Sequence, residues 1–445
     1  MIALTKFMIK LIKLALAIIL VFPAFYLRTP FLASVRGWAF GLVFILSLGL
    51  IIAEISGWKK NSSQKEVILS VLILAIASFS FSLAVTKEVK FQLTKQAILN
   101  REASQLETLG QHFIVGYRNF EEVKILVEKG AIAGVFITKR NIQNKTQDEI
   151  HQEIQSLQEI RTSQGLSPLW IATDQEGGIV SRLSPPLTQL PPLSSIIKDE
   201  KTIDRTKDDV IDYASIQGKE LSEIGINLNF APVVDLNQGI ISPDDKYSKI
   251  YLRAISADKD VVAKVALWYC QTLANYGVTC TIKHFPGLGR LDTDTHIDHA
   301  QLKTSVEELS QADWVPFREV MSKTNAFTML GHAQLMSVDP DHPVSFSTKV
   351  VSEIIRNKWN HDGILITDDF SMQAVYGSQD GLANATIKAV NAGVDLILIA
   401  YDTDLYYNAM NGLIAAESAN RLDITVLKKS NARLKQAMSK LSMDN

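Results

Sequence analysis

Cysteine and net charge are both scarce in this sequence, and each shortage excludes a class of protein. The 445 residues include two cysteines, Cys270 and Cys280, in neither a CxxC nor a Cys/His zinc arrangement. A disulfide-stapled scaffold and a zinc-finger-type site are therefore excluded. Each cysteine ends an apolar run, so we expect two small buried residues, with a bond between them in an oxidising compartment as the alternative. The formal net charge of −2 lacks the basic excess of a nucleic-acid binder.

Charge is also absent from three long stretches within the first ninety residues. They cover residues 14–27, 37–53 and 67–86. Because a helix needs about 20 apolar residues to cross a bilayer, the second and third stretches predict transmembrane helices. The first is shorter and crosses only if Lys10 and Lys13 reach the interface with their charged ends. An interfacial helix and a signal peptide are its alternatives, although no small-x-small cleavage site precedes Arg28. We therefore predict about three transmembrane helices in an anchor, residues 1–90, that contacts a lipid bilayer.

The basic residues that flank these stretches predict an orientation. Six lysines lie on the side of the amino terminus and five lysines or arginines on the other side. Cytoplasmic flanks carry the excess of Lys and Arg. This bias, with three crossings, predicts a multi-pass protein of the cell membrane whose domain at residues 91–445 lies outside the cytoplasm.

Short apolar runs alternate with amphipathic helical stretches after residue 108. Eight such runs occur, at residues 112–117, 133–138, 168–174, 227–233, 279–284, 326–332, 363–369 and 395–401. This alternation predicts βαβ units with a parallel sheet that is buried on both faces. Eight units in about 300 residues fit an α/β fold of the (β/α)8 TIM-like barrel type. A doubly wound open sheet is the alternative, but no GxGxxG follows the first run.

Polar residues collect where several of these runs end. Those residues are Asp174, Asp235, Lys283, His284, His332, Asp368 and Asp369. One such residue is often only a helix cap or a loop hydrogen-bond partner. Together they predict an active-site rim, because the carboxyl ends of the strands carry the active site in barrels of this type.

The loop at residues 287–299, which we call the dyad loop, contains an Asp-x-His sequence at Asp294 and His296. A carboxylate two residues from an imidazole can fix its tautomer and raise the basicity of the other ring nitrogen. Such a pair transfers protons. The loop also contains Asp292, Asp298 and His299, so a metal site is the alternative. We favour the proton-transfer reading, with no metal and no cofactor, because residues on a flexible loop do not by themselves form a metal cage.

Five segments, in order, make the chain resemble glycoside hydrolase family 3, in its single-barrel β-N-acetylglucosaminidase (β-hexosaminidase) branch. They are "DQEGGIVSR" (174–182), "FAPVVD" (230–235), "KHFPG" (283–287) followed by Asp-Thr-His at 294–296, "ITDDFSM" (366–372) and "NAGVDLIL" (391–398). The resemblance covers residues 105–440. It implies a retaining exo-β-N-acetylglucosaminidase that cleaves N-acetylglucosamine from glycans such as peptidoglycan fragments.

The resemblance also implies roles for individual residues. Asp368 would be the nucleophile, and His296 the general acid and then the general base, oriented by Asp294. Five residues would bind the sugar: Asp174, Arg182, Arg253, Lys283 and His284. Arg253 is the least secure of these, because its segment "YLRAISAD" matches the family only in part.

One departure from the family concerns the hinge of the dyad loop. Position 288 is Leu where the family has His, and Arg290 and Leu291 replace residues that are smaller or polar there. We expect altered loop closure and substrate choice. A degenerate barrel that binds sugar without turnover therefore stays an alternative. So do a β-glucosidase and a phosphorylase, the latter because a neutral histidine repels phosphate less than a glutamate.

Overall fold

The computed structural model of the chain describes residues 2–61 and 63–443. They form two compact units that meet in the chain between Asn100 and Arg101. The division predicted above, an anchor at residues 1–90 and a barrel domain at residues 91–445, stays a prediction.

The first unit consists of three long helices: α1 (Ile2–Tyr26), α2 (Arg36–Gly57) and α3 (Gln64–Leu99). A short 3-10 turn at Pro30–Leu32 separates the first two helices. Ser63 begins α3 as a cap whose side chain accepts a hydrogen bond from the Glu66 amide. Capping of this kind satisfies an amide that has no partner within the helix.

Apolar side chains lie on both the inside and the outside of this unit. Small residues such as Ala17, Ala24 and Ala77 form its buried centre. Large apolar residues such as Ile19 and Ile45 face outward. A helix that is apolar all round is typical of a membrane or of a large core. All three helices are long and apolar enough to cross a membrane, including the first, at Thr5–Tyr26.

A buried ion pair joins the helices near the amino terminus. Lys10 and Lys13 lie 2.8 and 2.7 Å from the carboxylate of Glu54, which is 1% exposed. Ser70 on α3 donates a further hydrogen bond of 2.7 Å to Glu54. The two lysines therefore pair with a carboxylate within the helical unit. The expectation that their charged ends reach a membrane interface stays a prediction.

The second unit contains a closed barrel of eight parallel strands. In chain order they are β1 (Phe113–Gly116), β2 (Gly134–Phe136), β3 (Trp170–Thr173), β4 (Leu228–Asn229), β5 (Thr279–Phe285), β6 (Phe327–Leu330), β7 (Leu365–Asp369) and β8 (Leu396–Ile399). Each strand pairs with its neighbours in the chain, and β8 pairs with β1. The predicted (β/α)8 barrel is confirmed, and the open-sheet alternative is wrong because that last pairing closes the sheet.

Helices surround the barrel and connect its strands. They are α4 (Ala103–Gly110), α5 (Phe120–Glu128), α6 (Lys139–Ile142), α7 (Gln147–Ser163), α8 (Lys207–Glu223), α9 (Ile250–Arg253), α10 (Lys259–Ala274), α11 (Val306–Gln311), α12 (Trp314–Lys323), α13 (Gln373–Tyr376), α14 (Gly381–Ala392), α15 (Asp404–Ser418) and α16 (Ile424–Met443), with a π-helix at Lys349–Lys358. A short hairpin follows β3, with strands Gln175–Gly177 and Val180–Ser181.

Large apolar side chains fill the barrel interior. Trp170 on β3 meets Phe327 on β6 edge to face, with ring centroids 4.9 Å apart. Leu434 and Met438 of α16 belong to the same buried cluster. The lumen is therefore a packed core, and chemistry is left to the loops at the strand ends.

The two cysteines form a disulfide bond between α10 and β5. Cys270 and Cys280 are each 3% exposed, and their Cα atoms lie 5.3 Å apart. The expectation that both are buried is confirmed, but the expectation of two free residues is wrong. The reason is that the last turns of α10 pack on the start of β5, at a distance a disulfide can span.

We predict that Cys270→Ser, alone or with Cys280→Ser, lowers the free energy of unfolding by about 2–3 kcal/mol, because the bond closes a short loop of the unfolded chain. Denaturant titration of the purified barrel variants would measure the change. A reducing agent should lower wild-type stability by a similar amount and leave the double variant unchanged. Equal sensitivity of both proteins to the reducing agent would contradict a bonded pair.

Candidate active site

The residues singled out in the sequence lie at the carboxyl ends of the barrel strands. Asp174 follows β3, Lys283 and His284 lie in β5, and Asp368 lies near the end of β7. The dyad loop follows β5 and contains His296. Parallel strands bring these distant chain segments to one rim, which is where the sequence analysis placed the site.

A buried network of opposite charges forms one wall of the site. Lys283, only 2% exposed, lies 2.6 Å from carboxylate oxygens of both Asp174 and Glu176. Arg253, at the end of α9, donates hydrogen bonds of 2.9 and 2.7 Å to the two oxygens of Glu176. Asp174 is the more accessible carboxylate, with 22% of its side chain exposed. It is therefore the member of this wall that can accept hydrogen bonds from sugar hydroxyls.

Glu176 is a site residue that the sequence analysis quoted in a motif but did not single out. Burial alone would raise its pKa, but Arg253 and Lys283 lower the pKa to about 2. Burial alone would lower the pKa of Arg253, but the neighbouring carboxylate of Glu176 raises that pKa above its ordinary value. Glu176 and Arg253 therefore stay charged, and Glu176 holds the side chains of Arg253 and Lys283 in place.

His284 is oriented by a second carboxylate. Its Nδ1 lies 2.7 Å from Oδ2 of Asp235, which is fully buried. A carboxylate only accepts hydrogen bonds, so Nδ1 carries the hydrogen and Nε2 is left as an acceptor. Arg253 Nη2 lies 3.3 Å from that Nε2. Asp235, noted in the sequence only as a strand-end residue, thus fixes the tautomer of His284, whose role in sugar binding stays a prediction.

The adjacent carboxylates Asp368 and Asp369 have different surroundings. Both oxygens of Asp369 accept backbone hydrogen bonds of 2.9 Å, from Ser371, Ala400 and Tyr401. Asp368 accepts one such bond, of 2.8 Å, from the Asp369 amide. Asp369 is therefore committed to holding the end of β7 against β8, whereas Asp368 has lone pairs available for a reaction.

Three histidines near Asp368 favour its ionised form. Burial raises the pKa of Asp368, but the nearby imidazoles of His284, His332 and His296 outweigh it and lower that pKa below its ordinary value. Burial raises the pKa of Asp369. An ionised carboxylate that lacks a full set of hydrogen bonds is suited to act as a nucleophile.

Asp294 and His296 form a dyad. His296 Nδ1 lies 2.8 Å from Asp294 Oδ1, and the same oxygen accepts the His296 amide at 2.9 Å. The imidazole is 38% exposed, whereas the Asp294 side chain is fully buried. Because Nδ1 donates to the carboxylate, Nε2 is the nitrogen that can exchange a proton with a substrate.

A turn at residues 246–248, which we call the docking turn, holds the dyad from the loop after β4. The amides of Lys246 and Tyr247 donate to Asp294 Oδ2 at 3.1 and 2.7 Å, and the Ser248 hydroxyl donates to Oδ1 at 3.0 Å. Burial raises the pKa of Asp294, but hydrogen bonds from His296 and Tyr247 bring that pKa well below its ordinary value. No pattern in the sequence pointed to this turn, because nothing in its composition signals a partner almost fifty residues away.

The unusual hinge residues have structural partners. Leu288 is 4% exposed and packs with Ile250, Ala254 and Ala333 in a small apolar cluster that Leu291 also contacts. The Leu288 amide donates to Asp235 Oδ1 at 2.6 Å. Arg290 forms ion pairs of 2.8 Å with Asp313 and 2.7 Å with Glu308. The hinge is thus packed behind the site; its effect on loop closure stays a prediction.

The metal alternative finds no support in the part of the chain that the structure describes, residues 2–61 and 63–443. Within it, no group of three or more His, Cys, Asp or Glu side chains is arranged for a metal ion. Asp292, Asp298 and His299 are exposed on the dyad loop. The loop therefore brings together one carboxylate and one imidazole.

Arg182 lies at the rim, just after the hairpin that follows β3. It is exposed, and its amide donates to the Asp174 carbonyl at 3.0 Å. This places it beside Asp174 with its side chain toward solvent. Its predicted role in sugar binding stays a prediction.

Comparison with known proteins agrees with this geometry. Residues 98–436 match the Glycosyl hydrolase family 3 N terminal domain. A "Beta-hexosaminidase" of Xylella fastidiosa (strain M23) is 31% identical over 296 residues, covering 66% of this chain and 83% of that protein. One from Xanthomonas euvesicatoria pv. vesicatoria (strain 85-10) is 30% identical over 280 residues, or 62% of this chain and 78% of the relative.

Two solved structures are also similar. A glycoside hydrolase family 3 β-N-acetylglucosaminidase from Paenibacillus sp. str. FPU-7 has a TM-score of 0.69 and 27% identity, with 76% of this chain matching 63% of that one. A β-N-acetylhexosaminidase from Beutenbergia cavernae DSM 12333 has a TM-score of 0.67 and 27% identity, with 75% of this chain matching 98% of that one. The family model spans more than half of the sequence, and the chain therefore belongs to glycosyl hydrolase family 3.

Proposed function

We propose that this chain is a membrane-anchored, retaining exo-β-N-acetylglucosaminidase that removes terminal N-acetylglucosamine from peptidoglycan fragments or related glycosides. The observation that carries the proposal is the unsatisfied carboxylate of Asp368 beside the imidazoles of His284, His332 and His296. The names of the curated relatives support N-acetylhexosamine as the sugar. Asp174, with 22% of its side chain exposed, offers a carboxylate that can accept hydrogen bonds from sugar hydroxyls.

The reaction would proceed in two steps that balance without a cofactor. Asp368 attacks the anomeric carbon while His296 gives the proton on Nε2 to the departing oxygen, so that one C–O bond forms as another breaks. His296, now neutral, then accepts a proton from a water molecule, whose oxygen attacks the anomeric carbon and releases Asp368 as a carboxylate. Asp294 keeps Nδ1 protonated throughout and stabilises the charged imidazole.

Location outside the cytoplasm has two supports besides the flanking charges. The three amino-terminal helices are long and apolar enough to span a bilayer. The bond between Cys270 and Cys280 fits an oxidising compartment, since disulfides are rare in the reducing cytosol. Peptidoglycan fragments are the N-acetylglucosaminides that a bacterial enzyme would meet there.

Packing at the hinge weakens the case for a barrel that binds sugar without turnover. Leu288, the residue that suggested degeneracy, is buried behind Asp235 and leaves Asp294 and His296 hydrogen-bonded to each other. Comparing N-acetylglucosaminide with glucoside substrates, each with and without inorganic phosphate, would separate a hexosaminidase from a β-glucosidase or a phosphorylase.

We predict that Asp368→Ala lowers kcat by several orders of magnitude on any N-acetylglucosaminide, because no other carboxylate can form the glycosyl-enzyme. A 2-fluoro glycosyl trap should label Asp368 in the wild-type protein, as peptide mass spectrometry would show. Asp368→Asn, which keeps the shape of the side chain, is the matched control for folding. A label on Asp369 would overturn the assignment.

We predict that His296→Ala slows substrates with poor leaving groups by roughly 10²–10⁴-fold, because their departure needs a proton. The rate of the first step should fall less for activated aryl glycosides. Azide should partly restore their turnover by His296→Ala, since a small anion can attack the glycosyl-enzyme without a general base. Asp294→Ala should affect the same step less severely. The measurement is kcat/KM across a leaving-group series. Equal losses for good and poor leaving groups, without rescue, would indicate a structural role for the ring.

We predict that a reporter active only in an oxidising compartment is active when fused after residue 445. The same reporter inserted after Asn61, between the second and third helices, should be inactive, because two crossings return the chain to the cytoplasm. The reporter inserted between residues 29 and 35, in the connection between the first two helices, should be active, because a single crossing places that connection outside the cytoplasm. Activity after Asn61 together with inactivity after residue 445 would reverse the proposed orientation.

A further inference from the structure

We propose that the ring of Tyr247 forms the platform of a leaving-group subsite, which binds the pyranose ring of the sugar that departs from the terminal N-acetylglucosamine. This inference rests on the proposed hydrolase function and assigns a role to a residue that no family motif includes. Three observations carry it: the position of the ring beside the acid/base residue, its exposure, and its attachment to the dyad.

The position follows from the geometry of proton transfer. Asp294 occupies Nδ1 of His296, so Nε2 must come within about 3 Å of the glycosidic oxygen. The departing sugar is bonded to that oxygen, and its ring must therefore lie next to the imidazole. The Tyr247 ring centroid is 5.7 Å from that of His296, with 46° between the two planes. The tyrosine ring therefore lies next to the imidazole that the departing sugar also has to approach.

The exposure of this aromatic ring has no explanation in the packing of the barrel. Tyr247 is 61% exposed, although an aromatic side chain gains much from burial. Ile297, the next residue after His296, is 44% exposed. Both exposed side chains therefore belong to residues next to the dyad, in the docking turn and in the dyad loop. The C–H face of a pyranose ring can cover such a surface while its hydroxyls stay in water.

The backbone of Tyr247 is attached to the dyad, whereas its ring takes no part in proton transfer. The Tyr247 amide donates the shorter of the two hydrogen bonds to Asp294 Oδ2, at 2.7 Å. Ser248, its neighbour, donates to the other oxygen of Asp294 and lies 3.4 Å from His296 Nδ1. The backbone of Tyr247 therefore stays next to the dyad whenever the dyad is formed. A sugar stacked on Tyr247 would in turn favour the docked dyad, so that the proton donor is in place when a disaccharide is bound.

The platform can be tested with two substrates that differ in the shape of the leaving group and not in its acidity. One is a disaccharide with N-acetylglucosamine at its non-reducing end. The other is the trifluoroethyl β-N-acetylglucosaminide, whose leaving alcohol resembles a sugar hydroxyl in acidity but has no ring. The variants are Tyr247→Ala, which removes the platform, and Tyr247→Phe, which keeps the ring without the hydroxyl; both keep the amide that donates to Asp294.

Tyr247→Ala should lower kcat/KM for the disaccharide by about tenfold, the size of a stacking contact, and change it by less than about twofold for the trifluoroethyl glycoside. Tyr247→Phe should behave like the wild type on both. Equal losses of kcat/KM on the two substrates in Tyr247→Ala would overturn the proposed platform without contradicting the proposed hydrolase function. If the wild type cleaves neither substrate, the proposed function fails, and calorimetric titration with the disaccharide then decides: tighter binding by wild type than by Tyr247→Ala supports the platform, and equal binding overturns it.

Discussion

The carboxylate of Asp294 connects the two loops that make this barrel a candidate catalyst. It accepts hydrogen bonds from His296 on its own loop and from the docking turn on another loop. Without these bonds His296 would be a solvent-exposed imidazole on a surface segment. The carboxylate is fully buried and its pKa is held well below the ordinary value. Asp294 therefore stays ionised and keeps its hydrogen-bond partners at neutral pH.

The barrel supplies the second half of the site from parts that are already rigid. Lys283 and His284 belong to a strand, and Asp368 lies near the end of another. Glu176 holds Arg253 and Lys283 as one buried network, and such networks define a unique arrangement when every member has a partner. Under the proposed function, these parts bind the terminal sugar and supply the nucleophile, and the loop supplies the proton donor. Such a division would let the loop accept different leaving groups while the terminal sugar is held in one way.

Features carried by local patterns could be predicted from the sequence. All eight strands followed from apolar runs with β-forming residues, and the strand-end charges located the rim. Features that depend on tertiary approach were missed. Glu176 acquires its role only because Arg253, far along the chain, reaches it. The docking turn lies in a segment without periodicity, and the Cys270–Cys280 bond depends on how α10 packs against β5. Sequence patterns report local preferences, whereas these contacts are set by the closure of the barrel.

The claim that Asp368 and His296 work as nucleophile and acid/base across one sugar is tested most directly by the stereochemistry of the first product. Proton NMR of the purified protein acting on a β-N-acetylglucosaminide would follow the anomeric signal of released N-acetylglucosamine before mutarotation. Two successive displacements at the same carbon retain its configuration. The account predicts that the β anomer appears first and that the α anomer grows in later. Initial release of the α anomer would show a single displacement by water and would contradict the nucleophilic role of Asp368.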